Sequence, residues 1–193
     1  VNIALNKPLT GDRQPIKIVA VSDLHLGYGT GKTALKRYVE MINEQNPDLI
    51  LIGGDLIDNS VVPLYAENMM EELSELKAPL GIYMVPGNHE YISGMNASAR
   101  FIQGTPIQLL RDSIVTLPSG IQLIGRDDRS NTARRSLQEL MANVDKNKPI
   151  ILLDHQPYKL TESETAGVDL QFSGHTHRGQ VWPMSLVTDY IYE

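Results

Sequence analysis

What most constrains this chain is a repeated unit: a short apolar run of strand length breaks at once into a loop rich in Gly, Asp, Asn or His. The runs fall at residues 16–21, 49–52, 82–85, 121–124, 150–153 and 170–172. They show little apolar–polar alternation, which is the pattern of strands covered on both faces. Residues 3–5 are expected to add a strand at the start. Between the runs lie helical stripes. Leu35, Tyr38, Val39 and Ile42 follow i, i+3, i+4, i+7, and Asn46-Pro47 marks that helix's end. Tyr65, Met69, Leu73 and Leu76 form a second stripe, and Leu137, Leu140, Met141 and Val144 a third. The apolar members of these stripes read as core. Strands alternating with helices predict a layered α/β fold, with helices covering sheet, in one domain spanning 1–193.

The loops that follow the runs hold nearly all the reactive side chains. The first run leads into Ser22-Asp23-Leu24-His25 and the second into Gly53-Gly54-Asp55-Leu56-Ile57-Asp58. The third leads into Pro86-Gly87-Asn88-His89-Glu90, the fifth into Asp154-His155 and the sixth into Gly174-His175-Thr176-His177. All five histidines lie in these loops. The C-terminal edge of an α/β sheet is where such loops converge, so residues from 23 to 177 are expected to meet in one cleft. Singly, an Asp-x-His is a turn with a cap and a Gly-Asp a plain turn. The plain reading would have to hold independently at five strand ends.

Composition narrows the chemistry. With 41% apolar and 21% charged residues the chain is an ordinary folded one, and 193 residues suffice for a substantial core. The absence of cysteine removes disulfides, thiolate nucleophiles and zinc–cysteine sites. A net charge of −6 without a basic stripe argues against a long polyanion such as nucleic acid, though not against one phosphate held through metal. No stretch approaches the ~18 apolar residues of a membrane span, and no secretory leader is visible. The chain opens on Val1 rather than Met, which leaves room for a segment ahead of it.

Asp23, His25, Asp55, Asn88, His155, His175 and His177 form a mixed nitrogen and oxygen donor set. Seven donors are too many for one first-row ion and suit two divalent ions that share a bridging carboxylate. Imidazole, carboxylate and carboxamide without thiolate fit Mn, Zn or Fe. Ions about 3.5–4 Å apart can lower the pKa of a bridging water and brace an in-line attack on phosphorus. His89 stands next to Asn88 and is the histidine left over; at neutral pH it suits a general acid that protonates the departing oxygen. Asp58 is placed to hold the other nitrogen of that ring and favour its charged form. A cap for a helix over 64–77 is the plainer reading of Asp58; the logic of metal sites favours the orienting role.

The set Asp23-x-His25, Gly54-Asp55-x-x-Asp58, Gly87-Asn88-His89-Glu90, His155 and Gly174-His175-x-His177 resembles the calcineurin-like metallophosphoesterases, with all five blocks in the family's order. The resemblance implies a four-layer α/β/β/α sandwich and a hydrolase, phosphatase or phosphodiesterase, whose nucleophile is a hydroxide bridging two metals. It implies one site of Asp23, His25, Asp55 and His177 and a second of Asp55, Asn88, His155 and His175, with His89 as proton donor. Gly174 would let the backbone come close, and the two histidines of the last loop would serve different ions. "SDLHLG" and "SGHTHRGQ" are most similar to a bacterial branch that often carries N-terminal membrane segments. That implies a membrane-anchored full-length protein and a small phosphorylated substrate such as a lipid-linked pyrophosphate.

Three departures stand out. Asp154 precedes His155 where the family has a small residue, and Arg178 stands where glycine is common. The chain also ends at Glu193, ahead of the branch's closing strands, so the second sheet is expected to lack them. Loops 28–32, 59–63, 91–97 and 127–132 carry no readable motif. Arg126, Arg129 and Arg134 are able to meet an anionic headgroup but read rather as the solvated start of a helix, and Arg178, able to reach into the cleft toward a phosphate or headgroup, reads rather as a solvent-facing cation. Two rival functions are a catalytically silent metal-binding scaffold and a nuclease of the same superfamily. The intact donor set disfavours the first, and one Trp, two Phe and an acidic balance disfavour the second.

Overall fold

A computed structural model describes residues 1–10 and 15–177. The first sheet is all parallel, in the order β1 (Ile18–Val21), β2 (Leu49–Ile52), β3 (Ile82–Met84) and β4 (Ile107–Leu109). The second begins with β5 (Ser113–Thr116), antiparallel to β6 (Gln122–Gly125). It continues in parallel through β7 (Ile150–Leu153) and β8 (Leu170–Phe172). Parallel neighbours need a crossover. Helices supply it: α1 (Lys32–Glu44), α2 (Val62–Ala66), α3 (Met70–Ser74), α4 (Asn88–Ile92), α5 (Met95–Gln103), α6 (Leu137–Met141) and α7 (Leu160–Ala166).

The period-two alternation of side chains explains why there are four layers. In β2 every residue is buried. Ile50 and Ile52 face outward, into a core with Leu35 and Val39 of α1, Leu73 of α3 and Phe101 of α5. Leu49 and Leu51 face inward and pack with Tyr83, Leu123, Ile151 and Leu153 between the sheets. On the far face Ile124, Ile150 and Leu152 meet Leu137, Leu140 and Met141 of α6. Apolar residues without alternation are therefore what a strand between two packed layers requires. Each such side chain, fully buried, contributes about 1.5–3 kcal/mol. The order of layers is α/β/β/α.

Several expectations need correction. Residues 3–5 form no strand, and Ile3 and Leu5 are exposed. The stripe over 64–77 is two short helices, because Asn68 takes a left-handed φ of 53° between them. Met69, Leu73 and Leu76 stay buried, while Tyr65 is turned out and half exposed. Tyr38 is exposed rather than part of the core, and α6 stops before Val144. β4, β5, α4, α5 and α7 had not been read from the sequence, being short or without clear periodicity.

Candidate metal centre

The ends of β1, β2, β3, β7 and β8 point the same way, and main-chain bonds carry their pairing on into the loops. His25 N–H donates to Asp55 O (3.0 Å), Asp23 N–H to Gly54 O (3.0 Å), and Gly174 N–H to His155 O (2.9 Å). Two further bonds bolt sheet to sheet. The Asp23 carboxylate accepts from the backbone of His175 (3.0 and 3.1 Å), and His155 Nδ1 lies 2.8 Å from Gly53 O. A carbonyl can only accept, so His155 Nδ1 carries a proton and Nε2 is turned toward Asp55.

Three groups of side chains result, each with its ligand atoms within 4.8 Å of one another: Asp23, His25 and His177; Asp55, His155 and His175; and His25, Asp55 and His89. Asp55 Oδ2 joins them, lying 3.1 Å from His155 Nε2 and 3.9 Å from His25 Nε2. His177 Nε2 is 3.3 Å from Asp23 Oδ1 and 3.2 Å from His25 Nε2. His175 and His177 do not form a parallel pair on extended backbone. Both are left-handed, with φ of 69° and 46°, and they turn to different groups. His89 is closer in than the sequence suggested, its ring edge-on to His25 with centroids 4.4 Å apart. Asp58 Oδ1 sits 3.1 Å from His89 Nδ1 and 3.6 Å from His25 Nδ1. It does not cap α2, whose N-cap is Val61.

Backbone strain concentrates here. Asp23, His25, Asp55, His175 and His177 all have φ between 46° and 69°, in the left-handed region that costs a side-chain-bearing residue about 1–3 kcal/mol. Close approach also demands glycine. A Cβ on Gly174 would run into Ser22 Oγ and Asp23 Oδ2, and one on Gly54 would lie 2.7 Å from His155 Nδ1. Neither strain nor packing of this kind is visible in a sequence without coordinates.

The donor set fits metal on two independent counts. Asn88 Oδ1 and His155 Nε2 are buried and make no hydrogen bond among the described residues, the latter despite its contact with Asp55. Buried polar atoms rarely go unmet, and His155 Nε2 lies in a group with the ligand atoms of Asp55 and His175. The electrostatics agree. Burial lowers His155, yet the Asp55 carboxylate more than reverses it and lifts the imidazole to about 9. Burial likewise works to raise Asp55, but His155 and the His89 N–H bring it below the usual carboxylate range. His25 and His175 are held below their ordinary value, chiefly by burial and then by neighbouring imidazoles. A cation held there by Asp55, His155 and His175 would take the place of the His155 Nε2 proton.

Glu90 has no role evident from the sequence, and the structure gives it one. It is fully buried and its carboxylate accepts three backbone N–H bonds: Gly87 (2.7 Å), Asp55 (3.0 Å) and Ile57 (2.9 Å). Burial nevertheless pushes it up to about 7. It ties the Asp55 loop to the Asn88–His89 loop. The Gly87-x-x-Glu90 spacing, that of a capping residue reaching back to its N-cap, was the available signal. Of the arginines after β6, Arg126 and Arg134 need correcting, while Arg129 is exposed. Arg126 is buried and Arg134 largely so, and both pair with the buried Asp154 (3.1 and 2.9 Å) rather than with solvent. Arg178 lies outside the described residues.

Residues 16–179 match the calcineurin-like phosphoesterase family, and the chain belongs to it. It is 35% identical over 177 residues to an uncharacterized metallophosphoesterase of Helicobacter pylori, covering 89% of this chain and 47% of that one. It is 34% identical over 170 residues to one from Aquifex aeolicus (85% and 64%). A Danio rerio "transmembrane protein with metallophosphoesterase domain" is 32% identical over 187 residues (89% and 42%). The chain thus spans less than two thirds of the length of these relatives. The fold is shared with the 5′-nucleotidase precursor of Thermus thermophilus, at a TM-score of 0.56 and 16% identity over 84% of this chain and 42% of that one. It is a metal-dependent phosphoesterase domain by family, with His and Asp groups able to bind metal. Among the described residues no helix is long and apolar enough to cross a membrane.

Proposed function

We propose that the chain hydrolyses phosphoesters at a two-metal centre. In this reading Asp23, His25, Asp55 and His177 hold one divalent ion, Asp55, Asn88, His155 and His175 hold the second, and Asp55 is shared. The observation that carries it is Asp55 Oδ2, set between His155 and His25 where the two groups meet. Mn, Zn or Fe bound there supply an activated water for attack on phosphorus and neutralise charge on its oxygens. His89 is the proton donor to the departing oxygen. Asp58 at Nδ1 fixes its ring, leaving Nε2 to give the proton.

The substrate is proposed to be a small phosphorylated molecule with an apolar tail, such as a lipid-linked pyrophosphate, met near a membrane in the full-length protein. Tyr28, Val62 and Ile92 support this. All three are strongly exposed, and they follow His25, Asp58 and His89 by three, four and three residues. Ile92 shares a helical face with His89. Each thus lies on a segment that also carries a proposed site residue.

The test is hydrolysis of p-nitrophenyl phosphate esters by metal-loaded protein, abolished by chelation and restored by Mn²⁺. His89→Ala should keep its metal and lose about 10²–10⁴-fold on poor leaving groups. A silent scaffold would show no turnover for that variant to lose. No metal-dependent hydrolysis of any mono- or diester would sink the proposal.

A further inference from the structure

The loops after β4 and β6 hold several guanidiniums, and most are committed to the protein. Arg111 pairs with Asp127 (2.9 Å), and Arg126 and Arg134 pair with Asp154. Arg129 differs. It is exposed, and among the described residues its guanidinium makes no ion pair or hydrogen bond. Its contact is with an aromatic face: the Cζ lies 4.0 Å from the centroid of the Tyr158 ring. A guanidinium stacked this way is fixed in orientation while its N–H donors stay free at the edge, which is how arginine meets phosphate.

The stack is also fixed relative to the metal centre. Tyr158 lies three residues past His155, in a turn closed by its own N–H to Gln156 O (2.8 Å). Arg129 follows Asp128, which is buried and accepts from Gln156 Nε2 (3.0 Å). Gln156 is the neighbour of His155, so one side-chain bond joins both halves of the stack to the inner group. Asp128 is occupied by Ser130 as well, accepting from its N–H (2.8 Å) and its hydroxyl (2.6 Å), so it is not aimed at Arg129.

We propose that Arg129, held flat on Tyr158, selects substrates that carry a second phosphoryl group beside the scissile one. The idea rests on the phosphoesterase reading above and adds a specificity-determining residue to it. On such a substrate water adds across the P–O–P bridge, the bridging P–O bond breaks, and two monophosphates leave. Arg129 binds the phosphoryl group that is not attacked and takes no part in the bond changes.

The test compares kcat/KM of metal-loaded protein on UDP-N-acetylglucosamine, with two phosphorus atoms, and on bis(p-nitrophenyl) phosphate, with one. The readout is the ratio of the two. Arg129→Ala should lower that ratio about tenfold to a hundredfold, the scale of hydrogen bonds to a charged group. Arg129→Lys should fall between, because an ammonium lacks the planar fork. Tyr158→Phe should keep the ratio and Tyr158→Leu should lower it, with metal content equal throughout. A ratio within twofold of wild type in Arg129→Ala overturns the inference, as does wild type that turns over the diester but not the diphosphate. Wild type that hydrolyses neither removes the phosphoesterase reading and this one with it.

Discussion

The inner and outer groups of the cluster share Asp55 as a neighbour and differ in their contact with water. Within the inner group the His155 side chain is 0% exposed and that of Asp55 2%. In the outer group Asp23, His25 and His177 are 11%, 20% and 35% exposed. A buried donor left unmet has no solvent to turn to, whereas an exposed imidazole is hydrated at little cost. The inner site is therefore expected to bind its ion more tightly and exchange it more slowly. The outer group is where solvent reaches the cluster.

The most severe way to break this contrast is to remove what the groups share. Asp55→Ala should abolish stoichiometric binding of both ions and lower kcat/KM by at least about 10³-fold, more than the 10–100-fold typical of groups that merely support a ligand. Metal analysis after gel filtration reads the first effect and steady-state kinetics the second. Retention of two ions would show that Asp55 bridges nothing. Next in size is the pair His155→Ala and His177→Ala. Each should cost about one ion per chain. His177→Ala should keep the slowly exchanging ion, and His155→Ala the labile one, as read by release to a chromophoric chelator. Equal release rates in the two variants would erase the difference that burial predicts.

Much of this was legible before any coordinates. Uninterrupted apolar runs identify strands with two covered faces, and β2 and β7 fall at the expected residues because burial on both sides leaves no room for polar ones; β8 also falls where expected, though it is half-buried and carries Gln171. The meeting of five loops at one edge follows from parallel topology, so Asp23, His25, Asp55, His155, His175 and His177 could be listed together from their positions alone. Strands β4 and β5 are short and half-buried, and their sequences carry neither pattern. Asp154 was noticed as an oddity, but its partners Arg126 and Arg134 are 28 and 20 residues away, and only the fold brings them in. The left-handed φ at five site residues is likewise a product of tertiary packing, since neither Asp nor His announces it.

Glu90 sharpens the comparison from below, since its carboxylate supports the backbone of Asp55 and Gly87 together. Glu90→Gln sets an N–H₂ against backbone N–H groups and leaves at least one of them unmet. Unfolding stability should fall by about 1–3 kcal/mol in denaturant titrations. Because the strain sits beneath the inner group, the tightly held ion should also exchange faster. A variant as stable as wild type, with unchanged metal release, would mean the three N–H bonds are replaceable.

The smallest expected effect is a slope with pH, at most about 1.4 kcal/mol per pH unit for one proton. His155 is raised in the folded protein from 6.5 to about 9. Its contribution in chelator-treated protein is therefore fully present below pH 6.5 and lost as pH climbs through 9. Glu90, raised from 4.5 to about 7, gives the same sign in a lower window. His25 and His175 are lowered, so their contributions are lost instead as pH falls below 6.5. Between pH 7 and 9 His155 stands apart from these, and His155→Ala should flatten the decline there. With saturating Mn²⁺ the decline should vanish, because the ion takes the place of the proton in the folded state and the unfolded imidazole has already lost its own above pH 6.5. A decline that persists with saturating metal would mean that Nε2 of His155 keeps its proton, and the inner group would then not be a metal site.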